Sequence, residues 1–165
     1  MENNKLLDSL RRQFSDPFEM LEKIIDVCPD ELWNKKTSGY VFWHQIFHAL
    51  YWVHFWLRDE KTDFNEPFTG ETLYPHLEKT PEKILSKNDL RIFCKETKEL
   101  AEKWVSGKDD SWLNLLLFRE KTPTKMLKDW TYLDAIISQI SHLMYHVGHC
   151  DAILRENSVK GVWNE

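Results

Sequence analysis

Between positions 136 and 154, the apolar residues Ile136, Ile140, Leu143, Val147, Cys150 and Leu154 recur at intervals of four and three. That is the period of a helix whose one face is packed along its length against other helices. A polar track runs beside the seam, because Gln139, His142, His146 and His149 fall within about 80° of one another at 100° per residue. Polar groups so close to a buried face need partners. His142 and His146, four residues apart, share a helix face, and His44 and His48 repeat the spacing in a second apolar segment, Phe42-Trp43-His44-Gln45-Ile46-Phe47-His48.

Two helices can therefore aim histidines at one point. Neutral imidazole is the commonest side-chain ligand of zinc and its first-row neighbours, and catalytic zinc sites use three protein ligands with one position open. A metal centre is the leading expectation. Spacing does not choose between His44 and His48. His149 lies about 10 Å along the helix axis from His142, too far to share one ion easily, and reads as a neighbouring donor or a pocket-lining residue. His54 sits on another face of its helix and His76 in a polar stretch, so both read as solvated or structural.

At 165 residues the chain is long enough for one well-buried core, and a single domain over 1–165 is expected. With 42% hydrophobic residues and only 5 Gly and 6 Pro, an all-α protein fits better than a turn-rich β protein. A balance of 22 basic to 27 acidic residues, with no basic block, argues against a nucleic-acid partner. The start of the chain has neither the charge nor the apolar run of a signal peptide, and no segment reads as a membrane span. The expectation is a soluble cytoplasmic protein that does not engage membranes. Cys28, Cys94 and Cys150 are odd in number and widely spaced, and read as reduced core residues.

Four helices are expected. The first starts at Ser15-Asp16-Pro17 and closes before Pro29, and the second covers 40–58 after a Ser38-Gly39 turn. A long polar connection over 59–79 follows, broken by Pro67, Gly70 and Pro75. The third helix is capped by Thr80-Pro81 and runs to Gly107, and the last covers about 124–156. The strip 113–118 reads as either a short strand-like or a helical connection. Trp163 is the tail residue expected to dock.

Three segments carry a resemblance: Ile25-Asp26-Val27-Cys28-Pro29-Asp30-Glu31-Leu32-Trp33, the stretch from Phe42 through His48 to Leu50, and His142-Leu143-Met144-Tyr145-His146-Val147-Gly148. In this order the chain resembles the DinB-like superfamily of metal-binding four-helix bundles. The resemblance implies that His48, His142 and His146 bind one divalent ion, nickel or zinc, and that His44 lines the pocket one turn away. Where this chain has His149, the family often has glutamine.

The resemblance further implies a transferase or isomerase using a low-molecular-weight thiol. A thiol at an open metal position is deprotonated and attacks an electrophilic small-molecule substrate. Trp43, Tyr51, Trp52 and Tyr145 are the expected pocket wall, with Tyr51 and Tyr145 as candidate proton donors. Metal-assisted hydrolysis, with His44 or His149 as base, is a second enzymatic expectation. The third is a non-catalytic bundle in which the metal is structural or absent, acting through ligand storage or as a homodimer through apolar faces of the third helix.

Overall fold

The computed structural model describes residues 4–37, 39–58, 64, 67–68, 72–117 and 129–163. The architecture is all-α: α1 (Lys5–Val27), α2 (Asp30–Trp33), α3 (Phe42–Trp56), α4 (Lys87–Val105) and α5 (Tyr132–Glu156), with a 3-10 turn at Trp112–Asn114. The strands β1 (Lys36–Thr37) and β2 (Tyr40–Val41) form a small antiparallel hairpin between α2 and α3. Gly39, at φ 96°, occupies a backbone region that side chains disfavour. α1 and α3 each pack against both α4 and α5.

α1 begins ten residues before the expected start, and Pro17 lies inside it. The helix extends in spite of the missing proline N–H because Leu7, Phe14, Phe18, Leu21 and Ile25 bury one continuous face. Its first turn is also capped from far away. The Asp110 carboxylate accepts from the Leu7 amide at 2.9 Å and from the Leu6 amide at 3.3 Å, taking up donors that a helix N-terminus leaves open. The end before Pro29 is as expected, with Cys28 leaving the helix in an extended conformation.

α4 starts at Lys87 rather than beside Thr80-Pro81. Ser86 accepts from the Asp89 amide while the Asp89 carboxylate accepts from the Ser86 amide, a reciprocal capping box. Trp33 Nε1 donates to the Leu85 carbonyl at 2.8 Å, which holds the chain just ahead of the cap outside the helix. α5 likewise starts at Tyr132, behind the capping box of Thr131 and Asp134. The expected start near 124 falls outside the described residues, but 129–130 are not helical. There the Leu117 amide donates to the Trp130 carbonyl at 2.7 Å, and Leu116 bridges Thr131. The strip before 118 is thus a 3-10 turn followed by an extended segment.

α3 is buried on most of its circumference, including Phe42, Trp43, His44, Gln45, Ile46 and Phe47. This matches its dense run of aromatics. The three cysteines are free and buried, and burial pushes the Cys28 and Cys94 thiols up to about 12. In the tail it is Val162 that docks, its amide donating to Asp151 Oδ1 at 2.6 Å, whereas Trp163 is half exposed. Among the described residues, no helix is long and apolar enough to cross a membrane.

Candidate metal centre

α3 and α5 pack side by side, and their histidine pairs meet across the contact. One ring nitrogen from each of His48, His142 and His146 lies within 4.8 Å of the other two. The ring centroids are 4.7 Å (His48 to His146), 4.8 Å (His142 to His146) and 5.2 Å (His48 to His142) apart. Metal–nitrogen bonds of 2.0–2.1 Å at tetrahedral angles place ligand nitrogens about 3.4 Å apart. The two Nε2 atoms of His48 and His142, 3.2 Å apart, already match that spacing. The widest pair would close by roughly 1.4 Å, a shift that side-chain torsions can supply.

Two of the three rings are oriented from behind. His48 Nδ1 donates to the Pro75 carbonyl at 2.6 Å. A carbonyl only accepts, so the proton of neutral His48 sits on Nδ1 and Nε2 presents its lone pair. His146 Nδ1 lies 3.0 Å from Gln45 Oε1, a bond that likewise leaves Nε2 bare. Metal-bound histidines are typically held in this way by a carbonyl or carboxylate on the far nitrogen. His142 Nε2 donates to His48 Nε2, and ligation through it requires its proton to move to Nδ1. Burial pushes His142 down to about 4 and His146 down to about 3, aided by the neighbouring imidazoles, so the rings are neutral at pH 7. The donor set fits a borderline divalent cation.

Residues 73–75, in the connection between α3 and α4, close the back of the site. Tyr74, at φ 46°, is in the left-handed region, a rare conformation for a tyrosine. Around it three successive carbonyls serve α3. His44 Nε2 donates to the Leu73 and Tyr74 carbonyls at 2.7 and 3.0 Å, and Pro75 accepts from Trp52 Nε1 at 3.2 Å as well as from His48. His44 is thus a buried anchor for the connection and stands outside the three-histidine cluster. His76 packs edge-on against Trp52 at 4.9 Å, and His54 lies among Phe64 and Phe93.

A cleft of about 270 Å³ opens on the cluster, lined by His48, Trp52, Trp56, Ser138, Gln139 and His142. Of the expected aromatic wall, Trp52 lines the cleft and is joined by Trp56, while the other three residues lie elsewhere. Trp43 is wholly buried, with Nε1 donating to Asn34 at 3.2 Å. Tyr51 is in the core against Phe47, Trp52 and Phe64. Tyr145 is 67% exposed and stacks on His149 outside the cleft. Neither tyrosine stands where a proton donor to the cleft would, and His149 is outside the cluster, its Nε2 shut off from solvent without a partner. The physical reason lies in helix geometry. Tyr145 is adjacent in sequence to His146 and so projects about 100° away from it.

The spacing of the histidines did not point to Gln45, Pro75 or Trp56. Gln45 had a legible signal as a lone amide in an apolar run; Pro75 had none, since its contribution is a backbone carbonyl. A larger cavity of about 450 Å³ lies between α1 and α4, and none of the seven histidines lines it. No family model, no curated protein and no solved structure matches this chain.

Proposed function

We propose that this chain is a DinB-like four-helix bundle in which His48, His142 and His146 hold one divalent cation, nickel or zinc. Its open coordination position receives a small thiol for transferase or isomerase chemistry. The observation that carries the reading is the convergence of the three imidazoles beside a cleft that two of them line. The bound ion would supply Lewis acidity, lowering the pKa of a thiol so that it serves as a nucleophile near neutral pH.

The chain's own residues do the rest. Pro75 and Gln45 keep the lone pairs of His48 and His146 turned to the ion. Trp52, fixed by its bond to Pro75, and Trp56, stacked on Trp130 at 5.8 Å, wall the cleft and keep water from an electrophilic substrate. Metal-assisted hydrolysis has less support. Among the described residues the cleft lining holds no carboxylate, and His44 is committed to two carbonyls, so neither offers a general base. A non-catalytic homodimer draws on the half-exposed Ile92 of α4, but it gives no reason for a cleft beside the histidines.

Elemental analysis of tag-free protein, followed by cobalt reconstitution and thiol titration, tests the reading. The expected result is about one metal per chain and a thiol-induced change in the cobalt absorption, as an open site requires. Failure to take up metal, or a bound cobalt indifferent to thiols, would overturn it.

A further inference from the structure

Among the described residues, Gln139 is the one cleft-lining side chain with a buried polar atom that has no hydrogen-bond partner. It is 3% exposed, stands on α5 one turn ahead of His142, and lines the same cleft as His48 and His142. Its Oε1 has no hydrogen-bond partner. A buried amide oxygen left unmatched is unfavourable, and buried polar groups in native proteins are nearly always paired. Such an orphan beside a candidate metal ion is the pattern expected of a group whose partner arrives with the ligand.

The rest of the cleft narrows what that ligand is. Two indoles form much of the wall, and both are held in place before anything binds, Trp52 by Pro75 and Trp56 by Trp130. The volume of about 270 Å³ is at the lower end for small-molecule sites and excludes a folded partner or a long peptide. The lining holds no charged side chain among the described residues, so no side chain there adds to the pull of the proposed cation on a carboxylate or phosphate.

We infer that Gln139 reads the ligand of the three-histidine site. The occupant is a compact molecule with a metal-binding atom at one end and an O–H or N–H donor, taken up by Gln139 Oε1, at the other. This inference rests on the proposed metal site and adds to it a specificity-determining residue and a chemical requirement on the ligand. A thiol with a hydroxyl or amide arm meets the requirement, whereas a simple alkanethiol does not.

The test compares 2-mercaptoethanol with 1-propanethiol, which are nearly the same size and differ in the hydroxyl. Each is titrated into the cobalt-loaded full chain and followed by visible absorption, in the natural protein and in Gln139→Met and Gln139→Leu. The natural protein should bind 2-mercaptoethanol about 3- to 10-fold more tightly, the usual worth of one hydrogen bond. Both variants should lose that preference while binding cobalt as before, and one folded variant suffices. Equal binding of the two thiols by the natural protein, or a preference that survives in a variant, overturns the role of Gln139 and leaves the metal site standing. Absence of cobalt uptake, or of any thiol response, overturns the metal site and this inference with it.

Discussion

The Nδ1–H of His48 donates to the Pro75 carbonyl across 2.6 Å, tying a side chain in the middle of α3 to the connection 27 residues further on. The same carbonyl accepts from Trp52 one turn along the helix. A single backbone oxygen thereby sets the tautomer of one candidate ligand and the position of the cleft wall, and the left-handed Tyr74 lies next to it. The arrangement around His48 is dictated by a loop backbone as much as by the helix that carries the ring.

Removing any one of the three histidines should abolish stoichiometric metal binding. His48→Ala, His142→Ala and His146→Ala are expected to keep the helical circular dichroism of the natural protein, since the hydrophobic core is built elsewhere. His44→Ala should retain metal, because His44 points into the connection, and should alter thiol binding instead. Elemental analysis of all four variants checks this; full metal retention in the first three would sink the site.

Gln45 should act on the metal without touching it. Gln45→Leu deletes the acceptor on His146 Nδ1 and is expected to weaken metal affinity by about 10- to 100-fold, the usual effect of losing such a partner. A competition titration against a chromophoric chelator measures it, and an unchanged affinity would show that His146 is oriented by packing alone.

Asp151 should give the protein an acid-sensitive tail. Its partial burial raises the carboxyl pKa, but the Arg155 guanidinium and the Val162 amide outweigh this and hold it below the usual range. A carboxyl depressed on folding contributes stability that is present above its unfolded pKa, near 4, and is lost as pH falls through the folded value. Asp151→Asn should therefore flatten the fall in thermal midpoint below about pH 4 and destabilise the protein by about 1 kcal/mol at pH 7. Melting curves from pH 3 to 7 decide it.

The capping boxes should matter individually. Thr131→Ala removes the acceptor for the Asp134 amide at the head of α5, and a loss of about 1 kcal/mol in urea unfolding is expected with the slope unchanged. A loss below a few tenths of a kcal/mol would mean that the α5 start is held by the Asp134 carboxylate on the residue-131 amide and by the Leu116–Thr131 bridge, without the Thr131 hydroxyl.

Much was legible in the sequence because it is local. The four-and-three seam of α5 and the four-residue spacing of both histidine pairs depend only on helix geometry, and they lead to an all-α fold with imidazoles on two facing helices. The stop at Pro29 and the break near Gly107 are equally local, set by backbone chemistry at those residues. Helix starts were less legible. Ser86-x-x-Asp89 and Thr131-x-x-Asp134 are visible signatures that stronger-looking proline signals upstream obscured, whereas the start of α1 depends on Asp110, more than a hundred residues away.

The sequence by itself determined the helical period and the supply of histidines, since both follow from the chemistry of neighbouring residues. Residue spacing left His44 and His48 open, and it is the tertiary structure that brings His48 to His142 and His146 and puts Trp56 rather than Tyr145 at the cleft. One turn separates the members of the first pair, so their local environments are alike. What distinguishes them is the set of backbone carbonyls presented by Leu73, Tyr74 and Pro75, which capture His44 through Nε2 and His48 through Nδ1, so that it is the Nε2 of His48 that meets His142 on α5.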